Sequence, residues 1–143
     1  MRYHEVIRAP LWLLAIVYFF MLTLVISLWA ALGNGAALIS LVVLTAALVW
    51  IYSATALVIE VDEMELRVGK AHIALGFIGN SVYLDNEAIK RVRTRDADPR
   101  AFLAIRFWAQ QGIQVEIKDI NDPTPFWLIS SNRGAELIKA LKK

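Results

Sequence analysis

The sequence predicts a membrane α-helical hairpin joined to a small β domain. Three observations predict it. All charges in the 143-residue chain lie in residues 1–8 or 60–143, leaving the 51 residues from Ala9 to Ile59 uncharged. That block divides into two apolar runs at Gly33-Asn34-Gly35. Beyond it the apolar period becomes two, the period of strands. The chain is 58% hydrophobic and 20% charged, against about 25% charged in soluble domains. A simple soluble globule, a disordered chain and a collagen-like chain are excluded. Residues 1–59 are read as an N-terminal stub plus the hairpin. Residues 60–143 are read as one small cytoplasmic domain.

The spans are expected over about 10–32 and 36–55, each near the 20 residues that cross a core of about 30 Å. Lipid-exposed backbone must satisfy its own hydrogen bonds, which selects helices. Gly-Asn-Gly supplies the positive φ of a reversal. Trp12 and Trp29 stand 17 residues apart, about 25 Å along a helix. They match two interfacial belts, and Trp50 and Tyr52 return to the depth of Trp12. Arg2 and Arg8 precede the first span, Arg67 and Lys70 follow the second, and the turn carries no cation. By the positive-inside rule both termini are cytoplasmic and the protein is a two-pass plasma-membrane protein. The runs are too long for a signal peptide. Ser40, Ala47 and Ala54 recur every seven residues and suggest the seam between the helices. No ionisable residue lies within the spans, which argues against an ion pathway.

Seven strands and a helix are expected after the hairpin. Leu57, Ile59 and Val61 form the first; Met64, Leu66 and Val68 the second; Ile73, Leu75 and Phe77 the third; Val82 and Leu84 the fourth. A short helix follows from Asp85 to Arg95, capped by Asp85 or Asn86, with Ile89 and Val92 on one face. Strands are then expected at 102–107, around Ile113, Val115 and Ile117, and at 126–130. A last helix at about 132–142 has Asn132 as its N-cap and Leu137, Ile138 and Leu141 as its apolar stripe. Four strands, an irregular segment, three strands and a capping helix resemble a pleckstrin-homology-like (PH-like) sheet or barrel. Several small barrels share that strand count.

Particular segments carry a family resemblance. They are Met1-Arg2-Tyr3-His4-Glu5, Leu66-Arg67-Val68-Gly69-Lys70-Ala71 and Phe77-Ile78-Gly79. The most specific are Asp98-Pro99-Arg100-Ala101-Phe102 and Asp122-Pro123-Thr124-Pro125-Phe126-Trp127-Leu128-Ile129-Ser130. Through them nearly the whole chain resembles the actinobacterial two-pass membrane proteins catalogued as a domain of unknown function. The soluble part of that family is similar to bacterial PH-like domains. The resemblance implies an architecture and a lineage, and no reaction.

Candidate chemistry is sparse. There is no cysteine, so thiolate nucleophiles and disulfides are excluded. Asp96-Ala97-Asp98 has the form of a metal-binding Asp-x-Asp but lacks a third ligand, and one carboxylate can pair with Arg100. His4 and His72 do not form a ligand motif. Ser130-Ser131 lacks a nucleophile elbow and reads as a strand end leading into a helix. Gly76 and Gly79 mark a bulge or turn. No catalytic, cofactor or metal residue is assigned, and no cofactor is expected.

Residues 60–143 hold 13 Lys/Arg and 12 Asp/Glu, too even a balance for a nucleic-acid module. The promising cluster is Lys90, Arg91, Arg93 and Arg95, with Arg100 beyond. Anionic headgroups attract such segments by about 1 kcal/mol per cation; the same pattern also fits a solvated helix face. Asp62-Glu63-Met64-Glu65 stands at the first strand turn, where eukaryotic PH domains place basic residues, which argues against a phosphoinositide pocket. The reading is a non-enzymatic, membrane-anchored module that binds a protein partner or the inner-leaflet surface. The alternative is an accessory subunit of an envelope enzyme or transporter, acting through its hairpin. An autonomous enzyme lacks the necessary constellations.

Overall fold

The computed structural model describes residues 2–142. The chain forms two compact units. One contains the residues up to Ile7 and from Leu57 onward, and the other is Arg8–Ala56.

In the second unit, α1 (Leu11–Leu32) and α2 (Asn34–Ala54) are long and apolar enough to cross a membrane. Neither has a buried residue. Gly33, at φ 89°, ends α1, and its N–H donates to Trp29 O. Only one residue separates the helices, tighter than the three-residue break expected. Leu14, Tyr18, Met21, Val25 and Leu28 of α1 are half-covered, as are Ser40, Leu41, Leu44, Ala47 and Leu48 of α2. Their spacing of three and four marks the seam. Ala54 is exposed, so the small-residue stripe does not reach the end of α2.

The first unit contains a strand that the sequence reading missed. β1 (Tyr3–Ile7) precedes α1 and pairs antiparallel with β2 (Leu57–Val61), Ile7 opposite Leu57. The expected boundary at 59/60 falls inside β2, and the N-terminal stub is part of the β domain. β3 (Glu65–Val68) and β4 (Ala71–Ala74) complete one antiparallel sheet in the order β1-β2-β3-β4. The Asp62 N–H donates to Glu65 O and closes the turn. Met64 therefore sits at its tip, 80% exposed, instead of opening the strand. A 3-10 turn at Leu75–Phe77 replaces the expected end of the third strand.

β5 (Ile78–Leu84), β6 (Phe102–Ala104), β7 (Gly112–Ile117) and β8 (Phe126–Ser130) form a second sheet, ordered β5-β7-β8-β6. Among the described residues there are eight strands, not seven, and β6 pairs parallel with β8. The expected bulge is present: the β5–β7 register shifts between Ile78 and Ser81, around Gly79. Gly112 is required by close approach, since a Cβ there would strike Ile129 O.

One buried cluster takes Ile7, Ile59, Val61, Leu66 and Val68 from the first sheet and Ile113, Val115, Trp127 and Ile129 from the second. The apolar faces of the sheets therefore share one core. α4 (Gly134–Leu141) adds Leu137, fully buried, and packs on β5 and β7. Ile138 and Leu141 of the expected stripe also pack against the core, but Leu141 is only half-buried. Leu137→Ala should cost about 3 kcal/mol and Leu141→Ala about 1 kcal/mol in chemical denaturation. Equal costs would contradict this packing.

Asn132 does not cap α4; the N-cap residue is Arg133, which makes no side-chain cap bond. The lead-in to α4 is instead held by β1. Glu5, 6% exposed, accepts hydrogen bonds from the Asn132 N–H at 2.9 Å and from the Ser131 and Tyr3 hydroxyls at 2.6 Å each. Ser131 Oγ in turn accepts the Arg133 N–H at 3.1 Å. Arg133 lies over the Tyr3 ring at 5.2 Å and donates to His4 O at 2.9 Å. A carboxylate beside a helix N-terminus also complements the dipole.

Candidate functional site: the exposed basic helix

α3 (Asn86–Thr94) forms where the sequence places it. The Asp85 carboxylate accepts the Ala88 N–H at 2.8 Å, satisfying one orphan donor of the first turn. Ile89 is buried against Leu84 and Leu128, with Ala88, Val92, Ile105 and Phe126 packed around them. This small cluster holds α3 on the face of the second sheet away from the main core.

Anchoring that face turns the cations outward. Lys90, Arg91, Arg93 and Arg95 are all exposed, and none forms an ion pair among the described residues. Arg91 and Arg93 lie in the last turn, where they also complement the dipole. At 100° per residue the four cations span much of the solvent side of the helix. Arg100 differs from them. Its guanidinium pairs with Asp98 at 3.2 Å, and its N–H donates to the same carboxylate at 2.9 Å. Those bonds hold the Asp98 carboxyl below the usual carboxylate range and raise Arg100. Asp98 of the Asp-x-Asp is thus engaged by Arg100.

The remaining candidates are dispersed. His4, Glu60, Arg67 and His72 are successive register partners across β1, β2, β3 and β4, forming one polar row on the outer face of the first sheet. Two intervening strands put the histidines roughly 14 Å apart, and His4 Nδ1 lies 3.2 Å from Glu60. Arg67 pairs with Glu65. Among the described residues no three His, Asp or Glu side chains converge for a metal. Ser130 and Ser131 are fully buried; Ser130 Oγ accepts the Arg106 N–H at 3.0 Å. In the helical unit Trp12, Trp29 and Trp50 are exposed and Tyr52 is half-buried. Trp29 Nε1 donates to Asn34 Oδ1 at 2.6 Å, and Arg8 lies over Tyr52 at 5.9 Å.

Sequence reasoning passes over Tyr3 and Glu5, the buried polar pair of the β domain. Burial and then the Glu5 hydrogen bond push the Tyr3 phenol up to about 12, from about 10 in an unfolded chain. The native state therefore holds the proton more tightly. The stability this contributes is complete below pH 10 and is lost as pH rises from about 10 to 12. Tyr3→Phe should lose about 1 kcal/mol at neutral pH and flatten the alkaline decline when denaturation is repeated across that window. Parallel alkaline profiles for the two proteins would rule out the phenol as the titrating group.

No curated protein and no solved structure matches the chain. The family model described as a protein of unknown function (DUF3093) matches residues 2–141. With nearly the whole length matched, the chain belongs to the DUF3093 family.

Proposed function

We propose that the chain is a two-pass plasma-membrane protein with both termini in the cytoplasm, whose β domain is a non-enzymatic, PH-like binding module at the inner leaflet. The pairing of β1 with β2 carries this reading. These strands flank the two apolar helices yet lie side by side, so they must occupy the same side of any membrane the helices cross. That requires an even number of crossings. The Lys/Arg bias then favours the cytoplasmic side. Two sheets around one core with a C-terminal helix support the PH-like reading; β1 and the parallel β6–β8 pair would be additions to that plan. The buried Glu5 is committed to holding α4, which favours a binding role over a catalytic one. The unpaired cations of α3 supply the exposed surface.

The absence of cysteine makes a topology test clean. Asn34→Cys should react with a membrane-impermeant maleimide added to intact cells, whereas Asn132→Cys should react only after lysis. Labelling of Asn132→Cys from outside would overturn the orientation. One observation favours the accessory-subunit reading: Tyr18, Val42, Ala46, Val49 and Trp50 line a groove on the helical unit. Cross-linking from that groove to one recurrent membrane protein would favour it.

A further inference from the structure

We infer that α3 and the adjoining edge of β6 form one docking face for an anionic lipid surface, in which the cations bind headgroups and Leu103 and Phe107 enter the interface. This rests on the proposed anchoring at the inner leaflet and names what the β domain binds there. Leu128 lies under α3 and is fully buried. Its register partner Leu103, on the edge strand β6, is 55% exposed. Ile105 packs into the same small cluster as Ile89 and Val92. Phe107, two residues further on, is 65% exposed, its ring 4.8 Å from that of Trp108. Two large apolar side chains thus flank the residue by which this segment packs beside the basic helix.

Charge selects the occupant. Lys90, Arg91, Arg93 and Arg95 have no acidic partner within ion-pair distance among the described residues. Each cation near an anionic leaflet is worth roughly fivefold in partitioning. Apolar side chains beside such cations add interfacial burial, the combination that interfacial segments use. The attachment of the domain to the hairpin keeps it at high effective concentration near the bilayer, so weak attraction suffices. The face is distinct from the acidic Asp62–Glu65 turn.

The full chain serves for the test, reconstituted in nanodiscs of phosphatidylcholine with or without phosphatidylglycerol. A polarity-sensitive fluorophore is placed on Leu103→Cys or on Phe107→Cys, and on Ile120→Cys, a fully exposed loop position, as control. The labels at 103 and 107 should be quenched by lipid-borne nitroxide at least twofold more in anionic than in neutral discs. High salt, or changing Lys90, Arg91, Arg93 and Arg95 together to Gln, should return them to the neutral-disc level, with the label at 120 unchanged throughout. Labels at 103 and 107 as solvent-exposed as that at 120 in both lipids would overturn the inference. So would equal quenching in neutral and anionic discs, or shielding without lipid quenching, which would mean a protein contact. The maleimide accessibility of Asn34→Cys in cells tests the anchoring separately, so failure of the docking face is distinguishable from failure of the membrane reading.

Discussion

Removing residues 2–7 should abolish folding of the β domain. β1 contributes Tyr3 and Ile7 to the core, with Ile7 1% exposed, and pairs five residues with β2. Truncating one such aliphatic side chain costs about 2–5 kcal/mol, and a domain has only about 5–15 kcal/mol in total. Losing two core side chains, a strand ladder and the Glu5 bonds to the segment leading into α4 exceeds that margin. A fragment beginning at Leu57 should be molten or aggregated, and one beginning at Glu60 also severs β2. Because Ile7 and Leu57 are register partners, a few-residue turn can replace the helices between them. Residues 2–7 spliced in this way to 57–142 should give a soluble domain with cooperative thermal unfolding. Equal folding with and without residues 2–7 would show β1 to be dispensable.

Glu5→Ala should be the most damaging single truncation of a polar side chain, at about 3–5 kcal/mol. It strands two buried donors, the Tyr3 and Ser131 hydroxyls, and the part-buried Asn132 N–H. Each orphaned buried group costs about 1–3 kcal/mol. The total falls below their sum because Tyr3 and Ser131 lie 3.5 Å apart and can pair with each other. Glu5→Gln keeps the volume and one acceptor oxygen, so it should cost about half as much. The slowest-exchanging β7 amides of the full chain report the global opening free energy and give both values. An alanine variant within 1 kcal/mol of wild type would show the carboxylate to be incidental.

The hairpin, α3 with its Asp85 cap and the β7 strand were legible because local pattern determines them. Charge exclusion, capping chemistry and the alternation of Ile113, Val115 and Ile117 need no knowledge of distant partners. β1 was hidden by its own function. Tyr3, Glu5 and Ile7 point inward in period two, but the central inward residue is charged, and a charge at that position breaks the hydrophobic signal. Its partner β2 lies beyond two helices, which sequence spacing does not reveal. Met64 continued an apolar alternation into a turn that the Asp62–Glu65 hydrogen bond closes. Asn132 does not cap α4 because its own N–H is held by Glu5 of another strand, a contact that sequence spacing does not reveal. The exposure of the α3 cations followed from the positions of Ile89 and Val92. The Arg100–Asp98 pair is two residues apart and local, but that the α3 cations lack acidic partners depends on tertiary geometry.

The pairing of β1 with β2 across the helical hairpin is the central claim, and a disulfide tests it most directly. Val6 and Val58 are register partners on the outer face of the first sheet, and the chain has no cysteine of its own. Opposed Cβ atoms in an antiparallel pair are about 4.5–5.5 Å apart, within reach of a cross-link after small adjustment. Oxidising membranes that contain the Val6→Cys/Val58→Cys protein should join the two positions, seen as reconnection of the fragments after proteolysis between the helices. A mismatched Val6→Cys/Lys70→Cys pair should remain open. Failure of Val6→Cys/Val58→Cys to cross-link, with the two cysteines labelled from opposite sides of the membrane, would contradict the pairing and the proposed two-pass arrangement together.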